Sequence, residues 1–234
     1  ILTYTKKIGD HSFSALAGFV ASRYVGESAN SSIRGFSDNK IHSMNAGTVL
    51  NKPSEDYGAS TNASVLGRVT YDYQNKYLAT VNFRADGSSK FGVNNRWGYF
   101  PSFSLGWRLT GEEFMKPLDW LSDLKLRVGW GQVGNDQVGY YSSYGIYGIG
   151  ANYNMDGVIL PGYYQSQIGN DKLRWERTTQ TNVGLDFSFL NGRMTLTADA
   201  YYKKTTDLLL MVKLPQTSGF DSGMQNVGSV VNKG

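Results

Sequence analysis

The sequence has no cysteine and very few histidines, and these shortages exclude several kinds of site. Without cysteine, the chain of 234 residues can hold neither a disulfide nor a thiolate metal ligand. Its two histidines, His11 and His42, fall in a predicted turn and a predicted loop at opposite ends of the expected fold. A histidine-based triad or zinc site is therefore not predicted. We expect no catalytic residues, no metal, no cofactor and no enzymatic activity.

Long apolar runs are also missing. A transmembrane helix needs about 18 or more consecutive apolar residues, whereas the best run here covers only residues 208–212. A helical membrane protein is therefore excluded. A transmembrane β-barrel is still possible, because its lumen-facing residues dilute the hydropathy of each strand.

Charge of one sign is not concentrated anywhere in the chain. The formal net charge is +4, and the basic residues are scattered along the sequence. A nucleic-acid partner is not expected, because such a partner requires a clustered basic surface. What is abundant is Gly, with 28 residues, and Tyr, with 16. This composition favours strands and turns, and it predicts an all-β protein.

Residues 77–109 show the clearest alternation of polar and apolar side chains. In the first arm Val81 and Phe83 share a face, and Asn82 and Arg84 share the other. The second arm alternates in the same way from Trp97 onward. Both arms exceed the roughly 9–11 residues that a tilted strand needs to cross a bilayer, and Trp and Tyr stand near the ends of the apolar faces. This stretch predicts a transmembrane β-hairpin.

The connections between predicted strands alternate between short and long. Short turns are expected at Asp10, Asn75 and Asn191, and a compact link after Leu109 is predicted to form one helical turn with Thr110 as its N-cap. Long loops are expected at 24–60, 87–96, 133–172 and 207–226. Outer-membrane barrels place short turns in the periplasm and long loops outside. The pattern favours an antiparallel outer-membrane barrel over its alternative, a soluble barrel or sandwich.

One long motif resembles a known family. RADGSSKFGVNNRWGYFPSFSLGWRL is similar to the signature of the SusC-like TonB-dependent transporters of Bacteroidetes outer membranes. Three later stretches resemble the same family and occur in its order. They are LSDLKLRVGWGQVGN, LRWERTTQTNVGLDFSFLNGRMTLTADAYYKKTTDLLL and LPQTSGFDSGMQNVGSVVNKG.

The resemblance implies a part of a large, 22-stranded barrel, integral to the outer membrane. It implies a TonB-dependent importer of oligosaccharides or peptides that works with a SusD-like surface lipoprotein and with a TonB–ExbB–ExbD complex. The chain starts inside an apparent strand and stops where another would begin. We therefore expect residues 1–234 to be an internal portion of one barrel domain, without plug domain or signal peptide. A passive porin or adhesin-type barrel and a soluble carbohydrate-binding module stay open as alternatives.

Two groups of residues are candidates for function. The alternation predicts a lumen-facing group of charged side chains, most of them bonded to a plug domain or to one another: Arg68, Arg84, Asp86, Arg108, Arg127, Asp186 and Asp199. The loop at 133–172 holds seven tyrosines, whose flat faces suit stacking on sugars or packing on a partner. The candidates for such contact are Tyr140, Tyr141, Tyr144, Tyr147, Tyr163 and Tyr164. The outward face is expected to contact outer-membrane lipid.

Overall fold

The computed structural model describes residues 1–234 as one antiparallel sheet of nine strands, each paired with its neighbour in chain order. The strands are β1 (Leu2–Ile8), β2 (His11–Asn30), β3 (Ser54–Tyr73), β4 (Tyr77–Ser88), β5 (Trp97–Arg108), β6 (Leu121–Asn135), β7 (Glu176–Phe189), β8 (Met194–Thr206) and β9 (Ser229–Lys233). The sheet is open, since β1 and β9 lie at its two edges. The predicted all-β, antiparallel class is confirmed. No helix of the structure combines the length and apolarity that crossing a membrane requires.

The register joins side chains of like character into continuous rows across the sheet. Val81 on β4 pairs with Val69 on β3 and with Phe103 on β5, which in turn pairs with Trp130 on β6. Directly paired residues point to the same face of a sheet. One face is therefore apolar, as the alternation in the sequence predicted, and the other is polar.

The apolar face is uncovered. Val81 is 57% exposed, and only 15 of 234 residues are buried, too few to form the core of a soluble domain of this size. A contiguous apolar surface of this extent must be covered by lipid or by another protein. The geometry therefore argues against a soluble module and for contact with lipid.

Aromatic residues bound the apolar face at both ends. Near the short turns the rings of Tyr73, Tyr77 and Trp107 follow one another at centroid distances of 6.2 and 6.4 Å. Trp97 lies at the other end of β5, ten residues from Trp107. At about 3.3 Å per residue and a tilt of ~40°, these tryptophans are about 25 Å apart along the membrane normal. This equals the height of the apolar band of an outer-membrane barrel.

The short turns form as predicted. At one, Asn191 and Gly192 both have positive φ, and the Arg193 amide donates to the Leu190 carbonyl, which closes a tight turn between β7 and β8. Asn and Gly tolerate this left-handed backbone best, and such turns match the twist of the flanking strands.

The predicted loop at 24–60 is wrong in its extent. β2 and β3 run as a ladder from His11↔Tyr73 to Asn30↔Ser54, so each strand has 20 residues and the connection shrinks to residues 31–53. The glycines and serines here hid the strand pattern. Gly26 and Gly58 face each other, and side-chain alternation cannot be read where there is no side chain.

Three of the long loops contain small ladders that the sequence did not reveal. The strands of these ladders pair Ile33–Arg34 with Val49–Leu50, Ile146–Ile149 with Tyr163–Gln167, Tyr153–Met155 with Val158–Leu160, and Leu209–Lys213 with Ser222–Asn226. β6 also continues to Asn135, beyond the predicted start of the loop at 133.

The link after β5 differs from the predicted capped helical turn. It forms two short 3₁₀ turns, Leu109–Gly111 and Glu113–Met115, and neither has a side-chain cap. Thr110 instead donates its hydroxyl to Asp123 Oδ1 at 2.9 Å. Packing of the link against β6 has replaced the local capping that the sequence suggested.

Candidate functional site

The predicted lumen-facing charges all lie on the polar face of the sheet. Arg127 on β6 pairs with Gly106 on β5 and with Gly184 on β7, and Gly184 pairs with Asp199 on β8. The same alternation carries the other members of the group on β3, β4, β5 and β7. The polar face is thus one charged wall.

Arg127 is the centre of this wall. Its guanidinium donates to both oxygens of Asp186, at 2.8 and 2.9 Å, and to Asp199 Oδ1 at 3.0 Å. Gly184 makes this arrangement possible, because a side chain there would meet both Asp199 and Arg127. The Thr197 hydroxyl adds a bond to Asp186 at 3.3 Å. Both carboxylates are engaged, so they do not form the free acid and base pair that glycoside hydrolysis requires.

The remaining charges are also paired with neighbours along the wall. One pair joins Arg84 and Asp86 at 2.9 Å, and another joins Arg108 Nε and Asp123 at 3.2 Å. Arg68 donates to Asn82 at 2.6 Å. These groups are partly exposed, so each pair contributes little to stability. Their chemistry suits a hydrated, hydrogen-bonding inner surface.

A second polar cluster fastens the link at the short-turn end. Glu112 Oε1 accepts bonds from the Tyr77 hydroxyl at 2.6 Å and from Trp107 Nε1 at 3.2 Å, and Lys76 lies 3.8 Å from Oε2. The Tyr77 and Trp107 bonds and then Lys76 hold the pKa of Glu112 below its usual range. Two rings of the aromatic girdle are thereby fixed to one carboxylate.

The structure contains one buried apolar cluster, and it lies among the long loops. This loop core consists of Phe91, Val138 and Leu173, against which Trp175, Leu209 and Met224 pack. Phe91 and Leu173 are completely buried. The Trp175 ring lies 5.2 Å from Phe91 and 5.5 Å, edge on, from Phe100. Three of the four stretches that carry the family resemblance contribute to this cluster, the first with Phe91, the third with Leu173, Trp175 and Leu209, and the fourth with Met224.

Hydrogen bonds tie the same loops together. Trp175 Nε1 donates to the Arg96 carbonyl at 3.0 Å, and the Ser88 hydroxyl donates to Asp136 Oδ2 at 2.8 Å. Asn226 donates to the carbonyls of Arg174 and Asp207 at 2.8 and 2.9 Å. The loop core and these bonds join three separate loops, those between β4 and β5, between β6 and β7, and between β8 and β9, into one platform.

Three of the candidate tyrosines lie where the loop at 133–172 meets the wall or folds back on itself, and the bonds to Tyr141 and Tyr144 involve their backbone while their rings stay exposed. The Tyr140 ring lies against Gly58 on β3, where any side chain would collide with it. The carbonyls of Tyr141 and Tyr144 accept bonds from Gln167 Nε2 at 3.1 and 3.0 Å. Tyr140 is therefore placed to brace the loop against the wall, and the other two lie where the loop folds back on itself.

The other three lie on one small hairpin. Tyr163 pairs with Ile149, and Tyr147 pairs with Gln165, so Tyr147 and Tyr163 share a face. They are 69% and 75% exposed. Tyr164 points to the opposite face, where its ring packs on Gly148. The hairpin thus has one exposed aromatic face, with Tyr147 and Tyr163, and one face on which the Tyr164 ring packs against the backbone.

Sequence reasoning did not predict the loop core. The signal was present, because Phe91 and Trp175 are large apolar residues inside polar loops, where single aromatics usually need a partner. What the sequence could not supply was the pairing of loops that are about 80 residues apart.

The chain matches known proteins over nearly its whole length. The sequence model of the family described as TonB dependent receptor-like, beta-barrel matches residues 3–234. TonB-dependent receptor P39 of Formosa agariphila is 38% identical over 234 residues, which cover 99% of this chain and 22% of that protein. TonB-dependent receptor SusC of Bacteroides thetaiotaomicron is 44% identical over 183 residues, or 75% of this chain and 18% of SusC. The chain thus spans about a fifth of these relatives.

Solved structures match the fold. The RagAB peptide transporter superposes with a TM-score of 0.88 at 32% identity, over 99% of this chain and 26% of that one. The siderophore receptor PirA from Acinetobacter baumannii, at 12% identity and a TM-score of 0.56, shares the fold alone. Sheet order, apolar outer face and polar inner face agree with these likenesses, and the strands therefore belong to an integral outer-membrane protein. The chain is a member of the TonB-dependent receptor-like β-barrel family, whose members are transporters rather than enzymes.

Proposed function

We propose that the protein to which this chain belongs is a TonB-dependent nutrient importer of the SusC type. It takes up oligosaccharides or peptides across the outer membrane, with energy from a TonB–ExbB–ExbD complex and with a SusD-like surface lipoprotein as its partner. Residues 1–234 form part of the barrel domain, and the plug domain lies elsewhere in the protein.

Family membership carries this proposal, together with the charged inner wall. Arg127, Asp186 and Asp199 form a partly exposed ion-pair group on the polar face, which suits the polar lumen of an outer-membrane barrel. Each carboxylate oxygen and guanidinium nitrogen left free can still bond a plug or a passing solute. The family membership favours a plugged and energised barrel, and relatives named SusC and RagAB favour large polar solutes.

Dependence on TonB tests the proposal. Uptake of a labelled oligosaccharide or peptide mixture is measured in cells with the full-length receptor, with and without an intact energy-coupling complex. We expect uptake to stop when the complex is inactivated. Unchanged uptake would instead identify a passive porin.

The open aromatic face of the loop hairpin is our candidate contact for the lipoprotein. Tyr147, Ile149 and Tyr163 are strongly exposed on that face, and nothing in this chain covers them. Exposed aromatic patches on rigid elements are typical of protein interfaces. The hairpin belongs to the loop between β6 and β7, which the loop core joins to the neighbouring loops.

A matched pair of variants tests this contact. Tyr147→Ser with Tyr163→Ser changes the open face, and Tyr164→Ser changes the opposite face of the same hairpin. We expect the first to lower recovery of the lipoprotein in pull-downs about tenfold or more, and the second to have little effect. If the first variant keeps the lipoprotein but loses ligand binding, the tyrosines contact substrate instead.

A further inference from the structure

β3 extends beyond the strand that pairs with it on one side. β2 pairs with it as far as Ser54, whereas β4 pairs with it only as far as Asn62. Where the two strands separate, the Ser89 amide donates to the Thr61 carbonyl at 3.0 Å, and the Thr61 amide donates to Ser89 Oγ at 2.9 Å. Residues 54–60 of β3 therefore form an edge strand inside the order of the sheet.

The register shows which backbone groups this edge leaves open. The Gln74 amide donates to the Asp10 carbonyl, so the even-numbered residues of β3 exchange bonds with β2 and the odd-numbered residues point toward β4. Glu55, Tyr57 and Ala59 thus direct their N–H and C=O groups to a side where no strand lies. No backbone bond outside the ladders uses these groups. Such a row of open donors and acceptors is a template for a further strand.

The loop at 133–172 supports the inward side of this edge. Gly58 and Ser60 point inward and are buried, and the Tyr140 ring packs on Gly58. On the outward side Tyr57 is 54% exposed, and Glu55 is exposed as well. The edge is thus held as a strand and is reached from outside the barrel wall rather than from the lumen.

The edge starts near the membrane surface and rises from it. Ala63 pairs with Gly87, which in turn pairs with Trp97 of the outer girdle. Glu55 lies eight residues beyond Ala63, which is about 26 Å along the strand, or about 20 Å along the membrane normal at a tilt of ~40°. A hollow of about 540 Å³ lies at the foot of the edge, between β3 and the end of β4, and it leaves room for the start of another strand.

The strands at this edge carry unpaired negative charge. Glu27 lies on β2, and Glu55 and Asp56 lie on β3. None of these carboxylates takes part in an ion pair. Residues 24–30 and 54–60 contain no Lys or Arg. Because opposite charges on neighbouring strands stabilise their pairing, the complementary partner is a basic extended segment.

We propose that this edge accepts, as an added β-strand, a basic tether of the surface lipoprotein, the segment that joins its lipid anchor to its folded part. The inference rests on the proposed function, which supplies the lipoprotein. Acyl chains hold such a partner in the outer leaflet, so its tether starts near the height of Trp97 and rises along the barrel wall. The edge of β3 follows the same path, and Glu55, Tyr57 and Ala59 together pair with about five or six residues of an added strand. This contact is separate from the open aromatic face of the loop hairpin.

A proline placed on the edge tests the pairing. Tyr57→Pro removes an N–H that points to the open side, so the ladder with β2 keeps its bonds. Tyr57→Val is the matched control, because it removes the same ring and keeps the N–H. In pull-downs with the full-length receptor, we expect Tyr57→Pro to lower recovery of the lipoprotein about tenfold and Tyr57→Val to have little effect. Both variants should keep heat-modifiable migration, which shows that the barrel has folded.

Disulfide scanning identifies the segment that pairs. Tyr57→Cys, in a full-length receptor without other cysteines, is combined with single cysteines along the tether of the lipoprotein. Because side chains alternate between the faces of a strand, we expect disulfides at one tether position and its second neighbours, and none at the positions between them. Glu27→Gln with Glu55→Gln should lower recovery of the lipoprotein about threefold at low salt and less at high salt.

Three results would overturn the proposal. They are equal recovery of the lipoprotein by Tyr57→Pro and Tyr57→Val, disulfides that show no alternation, and loss of an imported peptide rather than of the lipoprotein from Tyr57→Pro. The last would identify the edge as a substrate site. If the unmodified receptor recovers no lipoprotein, the proposed function fails as well, whereas recovery by the unmodified receptor and Tyr57→Pro alike refutes the edge pairing alone.

Discussion

An arginine placed at Val81 tests which face of the sheet meets lipid. Val81 lies four residues beyond Tyr77 on β4, between Val69 and Phe103, and it is 57% exposed. Four residues span about 13 Å along a strand, or about 10 Å along the membrane normal at a tilt of ~40°. The apolar band is about 25 Å tall, so Val81 lies within about 3 Å of the bilayer midplane.

At that depth, Val81→Arg should lower the free energy of unfolding by about 2–4 kcal/mol. Thr80→Arg is the matched control, because Thr80 is the preceding residue and lines the inner wall with Lys125 and Arg127. There the new charge meets water, and we expect a loss of about 1 kcal/mol or less. Equilibrium unfolding of the full-length receptor in phospholipid vesicles, followed by tryptophan fluorescence, measures both values.

The comparison between the two neighbours decides the outcome. Equal losses, or a larger loss for Thr80→Arg, would contradict the assignment of the apolar face to lipid.

Three further predictions concern the loop core, the girdle and the inner wall. Phe91→Ala leaves a cavity at a completely buried site. We expect the free energy of local unfolding of the loops to fall by about 3–5 kcal/mol, and protease to cut within residues 136–175 much faster. Glu112 has a lowered pKa in the folded state, so its contribution is present above its unfolded pKa, near 4.5, and is lost as the pH falls through its folded value. Glu112→Gln should therefore be less stable than the unmodified protein at pH 7, and urea unfolding should show this gap closing as the pH falls below about 4.5. Gly184→Ala places a methyl group against Asp199 and Arg127, and we expect a loss of about 1–3 kcal/mol that Asp199→Ala partly relieves in the double variant.

The strand register of the central hairpin could be predicted from the sequence. Alternation at Val81, Asn82 and Phe83 repeats on the facing arm, and a shift by one residue would turn every apolar side chain to the wrong face. For the same reason the alternation alone assigns the polar group around Arg127 to one wall. Local pattern is enough here, because period and face are properties of consecutive residues.

The ends of the longest strands could not be predicted in this way. β2 and β3 extend through Gly26 and Gly58, where glycine leaves no alternation to read. The Tyr140 ring fills the space beside Gly58. A side chain at position 58 is therefore excluded by a residue about 80 positions away in the chain. Only the packed structure shows that these glycines belong to strands and not to a loop.

The sequence by itself determined the class of the protein, the alternation of its faces and the positions of its tight turns, because each of these follows from neighbouring residues. The tertiary structure decided the rest. Phe91 and Trp175 meet in one core, Asp186 and Asp199 share a single guanidinium, and the Tyr140 ring packs against Gly58. These contacts join residues that are far apart in the chain, and their formation depends on the curvature and register of the whole sheet.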